Sequence, residues 1–206
     1  DADTDSTTDY TIEYAYDDRG TLVERKSWLE GEQTNAVTER YLVDYENPTG
    51  YSQVVAEWRK EGSASDFEVA KLYSYGDDLR SEMTLAAAGG SAGAGGGGPP
   101  SHALAPGVQY PLRDALGTVR ASAEFSSGLT GGAAPVTDYR YSAFGSPLDG
   151  ALAATDPVTR GSLTTESATS PWAFTGQRID PATGLQYHRA RWLDASLGRW
   201  TSVDPV

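Results

Sequence analysis

Arginines, aromatic residues and acids alternate near the C-terminus, and this is where the sequence carries most of its chemistry. The arginines are Arg178, Arg189, Arg191 and Arg199; the aromatics are Trp172, Phe174, Tyr187, Trp192 and Trp200; the acids are Asp180, Asp194 and Asp204. Guanidinium groups beside aromatic rings could form a stacking surface for single-stranded nucleic acid. Because acids are interleaved, internal Arg–Asp pairs and Arg–aromatic stacking are the favoured interpretation.

Two further patterns imitate ligand sites but lack a required feature. Residues 93–98 fit GxGxxG, but no strand precedes them and two prolines follow, so a flexible linker is favoured over a nucleotide site. Alternating aspartates at residues 1–5 resemble the first half of a calcium loop. Its sixth position is Ser6 rather than Gly and its twelfth is Ile12 rather than Glu, so a solvated acidic end is favoured.

Histidine and cysteine usage gives no catalytic or metal site. The chain has no Cys, and His102 and His188 are its only histidines, neither with a second His at metal-ligand spacing. We expect His188 to be packed or hydrogen-bonded within an alternating strand. No GxSxG sequence is present, which makes a serine hydrolase improbable. The sequence therefore predicts neither a metal nor a cofactor.

Tyrosines define the elements that would position these side chains. In residues 10–16 every second residue is Tyr or Ile, which predicts a strand. A turn at residues 17–20 and a β-compatible segment at residues 21–28 complete a hairpin. Similar units occur at residues 41–50, 73–77, 110–117 and 139–145. Their irregular spacing indicates a degenerate array of hairpins.

Composition divides the chain into three parts. Residues 1–83 form the hairpin region and hold 20 acids and 8 bases, out of 29 and 16 in the whole chain. Residues 84–109 are predicted to be a Gly/Ala/Pro-rich flexible insertion, and residues 110–206 a core with a second loop near 146–170. A short helix is expected around residues 81–88. The net charge of −13 and the absence of an 18-residue apolar run argue against phosphate-backbone binding and a membrane span.

Several of these segments resemble a known family. Residues 14–22, YAYDDRGTL, look like the YD repeat of Rhs and teneurin-type proteins. Residues 110–121 (YPLRDALGTVRA), 139–148 (YRYSAFGSPL) and 174–205 resemble, in this order, the Rhs repeat-associated core domain. The last of these, FTGQRIDPATGLQYHRARWLDASLGRWTSVDP, is the most specific. The family includes the C components of Tc toxins.

The resemblance implies an all-β fold in which an antiparallel strip of YD hairpins forms part of a hollow β-shell, or cocoon, and a terminal segment plugs it. The implied function is structural: the shell end encapsulates or presents a C-terminal effector. Expected partners are upstream repeats of the same polypeptide, another copy of the chain or a partner chain, and an enclosed effector domain. Neither nucleic acid nor a membrane span is expected, and the implied location is secreted or at the cell surface.

The family's self-cleavage also implies a partial catalytic site. It resembles aspartic-protease chemistry, in which two close carboxylates share a proton. The matching positions here are Asp204, in the Asp-Pro after Gly-Arg-Trp, and Arg191. The second acid is expected further along than Val206, so residues 1–206 would hold half of an aspartyl autoprotease at most. The alternative is a purely structural Asp204–Arg191 ion pair.

A recognition module is a separate alternative. Exposed Trp and Tyr side chains could bind carbohydrate or protein at a cell surface. Aromatics buried between strands would favour the shell, and a concave exposed aromatic patch would favour recognition.

Overall fold

The computed structural model describes residues 10–85, 107–125, 136–148, 171–180 and 182–203. These residues are nearly all β, and every strand pair whose register is defined is antiparallel. The predicted all-β hairpin architecture is therefore confirmed. The chain divides into two compact units, with the boundary in the described residues between Lys71 and Leu72.

The first unit contains a sheet whose strands are hydrogen-bonded in chain order. The strands are β1 (Tyr10–Tyr16), β2 (Leu22–Leu29), β3 (Val37–Asp44), β4 (Gln53–Glu61) and the start of β5 (Glu68–Tyr75). A short 3₁₀ turn, Gln33–Asn35, connects β2 to β3. Large side chains such as Trp28 and Tyr41 are buried in this sheet.

The second unit begins within β5 and follows the same chain-order rule. Its strands are β6 (Leu79–Thr84), β7 (Gly107–Arg113), β8 (Val119–Phe125) and β9 (Val136–Asp138), then the pair β10 (Arg140–Tyr141) and β11 (Pro147–Leu148). A terminal sheet, defined as β12 (Arg178–Ile179), β13 (Gln186–Tyr187), β14 (Trp192–Asp194) and β15 (Arg199–Trp200), ends the described chain. The 3₁₀ turn Phe174–Gly176 precedes it.

The five tyrosine units become five hairpins. They are β1–β2, β3–β4, β5–β6, β7–β8 and β10–β11. In the first, Tyr14 lies opposite Arg25 and Tyr10 opposite Leu29, so the tyrosines of β1 share one face of the sheet. Alternation in the sequence was sufficient to locate these hairpins.

The helix expected around residues 81–88 is wrong. Strand β6 runs through Thr84, with Glu82 and Thr84 buried and Met83 between them exposed, which is the period of a strand. Pairing with β7, where Glu82 lies opposite Gln109, overrides the weak helical propensity of the segment. Residues 86–106 and 149–170, which include most of the two predicted insertions, lie outside the described residues.

Candidate functional site

The first hairpin is closed by a turn in which residues of the turn itself form hydrogen bonds with several of its backbone N–H and C=O groups. Asp17 donates its N–H to the Thr21 carbonyl at 2.9 Å, and its own carbonyl accepts the Gly20 N–H at 3.1 Å. One carboxylate oxygen of Asp17 accepts from the N–H groups of Arg19 (3.0 Å) and Thr21 (2.7 Å). Gly20 has φ +75°, which explains the glycine at the fourth position. We call this arrangement the capped turn.

The capped turn recurs twice in the second unit. Asp114 bonds to Thr118 and Gly117 in the same way, and its carboxylate accepts from the Leu116 and Thr118 N–H groups at 2.9 and 3.0 Å. At residues 142–146 a serine hydroxyl replaces the carboxylate and accepts the fifth N–H at 3.0 Å. The Asp and Gly of the repeated motif are therefore turn-forming residues, since their side chain and φ angle close the hairpin.

Asp17 makes one further contact that Asp114 does not share. The Tyr45 hydroxyl donates a short hydrogen bond to the second carboxylate oxygen of Asp17, and the Arg19 guanidinium lies 4.5 Å from the centre of the Tyr45 ring. The Tyr45 hydroxyl is the main cause that lowers the pKa of Asp17. For Asp114 the main cause of a lowered pKa is Arg120, whose Nε lies 2.8 Å away.

The terminal sheet brings the C-terminal aromatics and arginines together. Tyr187 lies opposite Trp192 in the β13–β14 register, with ring centroids 5.0 Å apart. The tight turn between them is closed by the His188 N–H, which donates to the Arg191 carbonyl at 2.8 Å, and it holds Arg189 at φ +62°. This turn directs side chains from both of its ends towards β15.

Trp200 on β15 receives two of these side chains. The His188 ring meets it edge-on at 5.0 Å between centroids, and the Arg191 guanidinium lies 4.0 Å from its ring centre. Burial lowers the pKa of His188, and Arg189 and Arg191 lower it further by charge repulsion. Arg–aromatic stacking is therefore present here, as the sequence predicted.

A close seam joins the β10–β11 turn to the terminal sheet. Gln186 is fully buried and donates its side-chain amide to the Gly145 carbonyl at 2.9 Å. A Cβ on Gly145 would lie 2.5 Å from both the Gln186 amide nitrogen and the Phe174 ring. Tyr141 packs on the same ring at 5.9 Å, and burial raises its pKa. Only glycine fits at this position.

A second seam attaches the 3₁₀ turn to β8. The Val119 N–H donates to the Ala173 carbonyl and the Thr175 N–H donates to the Thr118 hydroxyl, both at 3.0 Å. Thr118 and Val119 have no exposed surface. The first seam therefore attaches the terminal sheet to the β10–β11 turn, and the second attaches the 3₁₀ turn before that sheet to the start of β8.

The predicted catalytic pair is only half described. Arg191 stacks on Trp200, whereas Asp204 lies outside the described residues, so their pairing and any catalytic role stay predictions. The acidic residues 1–5, the glycine pattern at 93–98 and His102 also lie outside them. Asp180 and Asp194 accept backbone N–H groups of their own turns, and the Arg–Asp pairs predicted for them stay predictions.

In the described part of the chain, no group of three or more His, Cys, Asp or Glu residues is placed to hold a metal ion. A search of the same residues found no helix with the length and apolar character needed to cross a membrane.

Sequence reasoning missed Gln186 and Gly145. A glutamine in an alternating strand looks like a solvent-facing residue, and a turn glycine looks replaceable wherever its φ can be met. Gln186 and Gly145 are 41 residues apart in the chain, and their contact forms only in the fold. The alternation of side chains along a strand does not predict such a contact. Gly145 does lie within the motif YRYSAFGSPL, which is one of the segments that carry the family resemblance.

Comparisons with known proteins find this fold in solved structures of much longer chains. No protein-family model matches the chain, and no curated protein matches it. The crystal structure of TcdB2-TccC3-TEV matches with TM-score 0.57 and 20% identity, and that of TcdB2-TccC3 without its hypervariable C-terminal region with 0.56 and 19%. The Photorhabdus luminescens Tc holotoxin pore matches with 0.56 and 17%. Each match covers 98% of this chain but 8% of the other.

Proposed function

We propose that this chain forms one end of an Rhs-type YD-repeat shell, and that its terminal sheet seals this end while the parent protein encapsulates or presents a C-terminal effector. The observation that carries the proposal is a series of hairpins paired in chain order and closed by a repeated capped turn. These hairpins are followed by the terminal sheet, which the Gln186–Gly145 contact attaches to the β10–β11 turn. The fold similarity to TcdB2-TccC3 structures supports it.

Three large aromatic side chains buried in the sheets favour a shell over a recognition module, while Tyr10, Tyr16, Tyr51, Tyr110 and Trp200 are exposed. Trp28, Tyr41 and Tyr73 are 8%, 6% and 7% exposed, and the Tyr73 ring meets the Trp172 ring edge-on with centroids 5.8 Å apart. Rings held in this way stabilise a sheet and present little surface to a ligand.

The shell requires further strands to continue the sheet. β1 is the first strand in the sheet order, and an outer strand offers backbone N–H and C=O groups to another strand. Upstream repeats of the same polypeptide, a second copy or a partner chain would supply that strand. A secreted toxin is the setting this function implies.

Cryo-electron microscopy of the full-length product of the natural gene tests the proposal. We expect a closed β-shell with residues 107–203 at one end. An open sheet with solvent on both faces, or these residues placed midway along a strip, would contradict it.

Self-cleavage is tested separately on the same protein. Asp204→Asn and Arg191→Lys are compared with the unchanged protein on a denaturing gel. If Asp204 is catalytic, a smaller band appears only where it is intact. An identical pattern in all three would leave Asp204 and Arg191 with a structural role and would not affect the shell proposal.

A further inference from the structure

His188 sits in an environment suited to a neutral imidazole. Its Nε2 atom is buried and has no hydrogen-bond partner among the described residues. Its ring packs edge-on against Trp200 on β15, and the Arg191 guanidinium lies on that same ring. His188 therefore contacts the last strand of the terminal sheet through an edge-on ring contact with Trp200.

We propose that His188 is a pH-sensitive latch: in its neutral form it holds Trp200 and β15 on the terminal sheet, and its protonation loosens that strand. This inference concerns the terminal sheet by itself and holds whether or not the chain belongs to a shell.

The charges around His188 explain why protonation would be unfavourable. Arg189 and Arg191, in the same turn, are both cationic. On the neighbouring strands, Asp194 and Arg199 lie opposite each other, and the Asp194 carboxylate is engaged by the N–H groups of its own turn. A protonated imidazole would thus add a third positive charge and a buried N–H donor, both of which are costly in a partly buried site.

The direction of the pH dependence follows from linkage. Burial lowers the pKa of His188 in the folded chain, and the unfolded chain keeps the ordinary value near 6.5. The unfolded or opened state therefore binds the proton more readily. Stability from this site is complete above the unfolded pKa and decreases as the pH falls below it towards the folded pKa.

Hydrogen exchange at β15 measures the latch directly. The Thr201 N–H donates to the Trp192 carbonyl at 2.9 Å and reports whether β15 stays on β14. After correction for intrinsic exchange, we expect its protection factor to fall about three- to tenfold between about pH 7.5 and about pH 5.5. His188→Phe keeps a ring against Trp200 but cannot be protonated, so its protection factor is expected to stay constant.

His102→Phe is the matched control, because His102 is the only other histidine in the chain. It is expected to keep the pH dependence of the unchanged protein. An equal fall in protection in the His188→Phe variant would overturn the proposal. NMR titration of the His188 imidazole in the unchanged protein gives a second test that does not depend on any variant folding. A His188 pKa at or above 6.5 would also overturn the proposal.

Discussion

A row of charged side chains in the first unit and an amide contact in the second bury polar groups in different ways. In the first, Arg25, Glu39 and Arg59 lie opposite one another on three successive strands, and Arg25 Nη1 lies 3.2 Å from Glu39 Oε2. In the second, the neutral amide of the fully buried Gln186 donates to the backbone carbonyl of Gly145, and the carboxylates of Glu82 and Asp180 are buried as well. We therefore expect the row formed by Arg25, Glu39 and Arg59 to lose stability when one charge is removed. We expect the seam between Gln186 and Gly145 to lose stability when a larger side chain is introduced.

Gly145→Ala is expected to have the largest effect. The new Cβ would lie 2.5 Å from two groups, one of them the ring of Phe174, so the seam must open. We expect the free energy of unfolding to decrease by about 4 kcal/mol. Denaturant unfolding followed by tryptophan fluorescence measures this change.

Gly184→Ala separates the seam from backbone strain. Gly184 also has a positive φ, +69°, but a Cβ there would meet nothing within 4 Å. We expect Gly184→Ala to lower the free energy of unfolding by about 1 kcal/mol, because alanine is disfavoured in the left-handed conformation. Equal losses in the two variants would mean that the seam contributes nothing beyond the φ angle.

Glu39→Leu tests the charged row. Removing this carboxylate takes an ion-pair acceptor away from the buried Arg25 guanidinium, and we expect a loss of about 3 kcal/mol in the free energy of unfolding. The double variant Arg25→Met with Glu39→Leu removes both charges and is expected to be more stable than the single variant. A double variant that is as unstable as the sum of the two single ones would contradict this account.

Sequence patterns located the hairpins better than the contacts between them. Alternating tyrosines and the Asp-x-x-Gly turn are local signals, and they predicted β1–β2 and β7–β8 because a capped turn needs only five consecutive residues. The seam depends on Gly145 and Gln186, which meet only after the chain folds. The Arg25–Glu39 pair was also hidden, because charged residues in a strand are usually solvent-facing.

Asp17→Asn compares the capped turns of the two units. Asp17 caps its turn and also accepts from Tyr45, so we expect a loss of about 1 to 2 kcal/mol in the free energy of unfolding, larger than the loss for Asp114→Asn. Because the pKa of Asp17 is lowered, its contribution is present above the unfolded value near 3.9 and is lost as the pH falls through the folded pKa.

Acid titration of stability in the Tyr45→Phe variant checks this assignment. The variant keeps the ring under Arg19 but loses the hydroxyl that lowers the pKa of Asp17. Without the hydroxyl, the folded pKa of Asp17 moves closer to its unfolded value, so the variant is expected to lose less stability on acidification below the unfolded pKa than the unchanged protein. Identical acid transitions would show that the backbone N–H groups alone set the pKa of Asp17.

Glu24→Gln is expected to have the smallest effect and gives the sharpest test of burial. Glu24 and Arg40 form an Arg–Glu pair at 2.6 Å, one register position from Arg25 and Glu39 but on the other face of the same strand pair. Their side chains are 30% and 56% exposed, against 9% and 13% for Arg25 and Glu39. Solvent screens the exposed pair, so we expect a loss of under about 1 kcal/mol that disappears in about 1 M salt. A loss as large as that of Glu39→Leu would mean that the strand pairing, rather than the face on which each pair lies, decides what an ion pair contributes to this sheet.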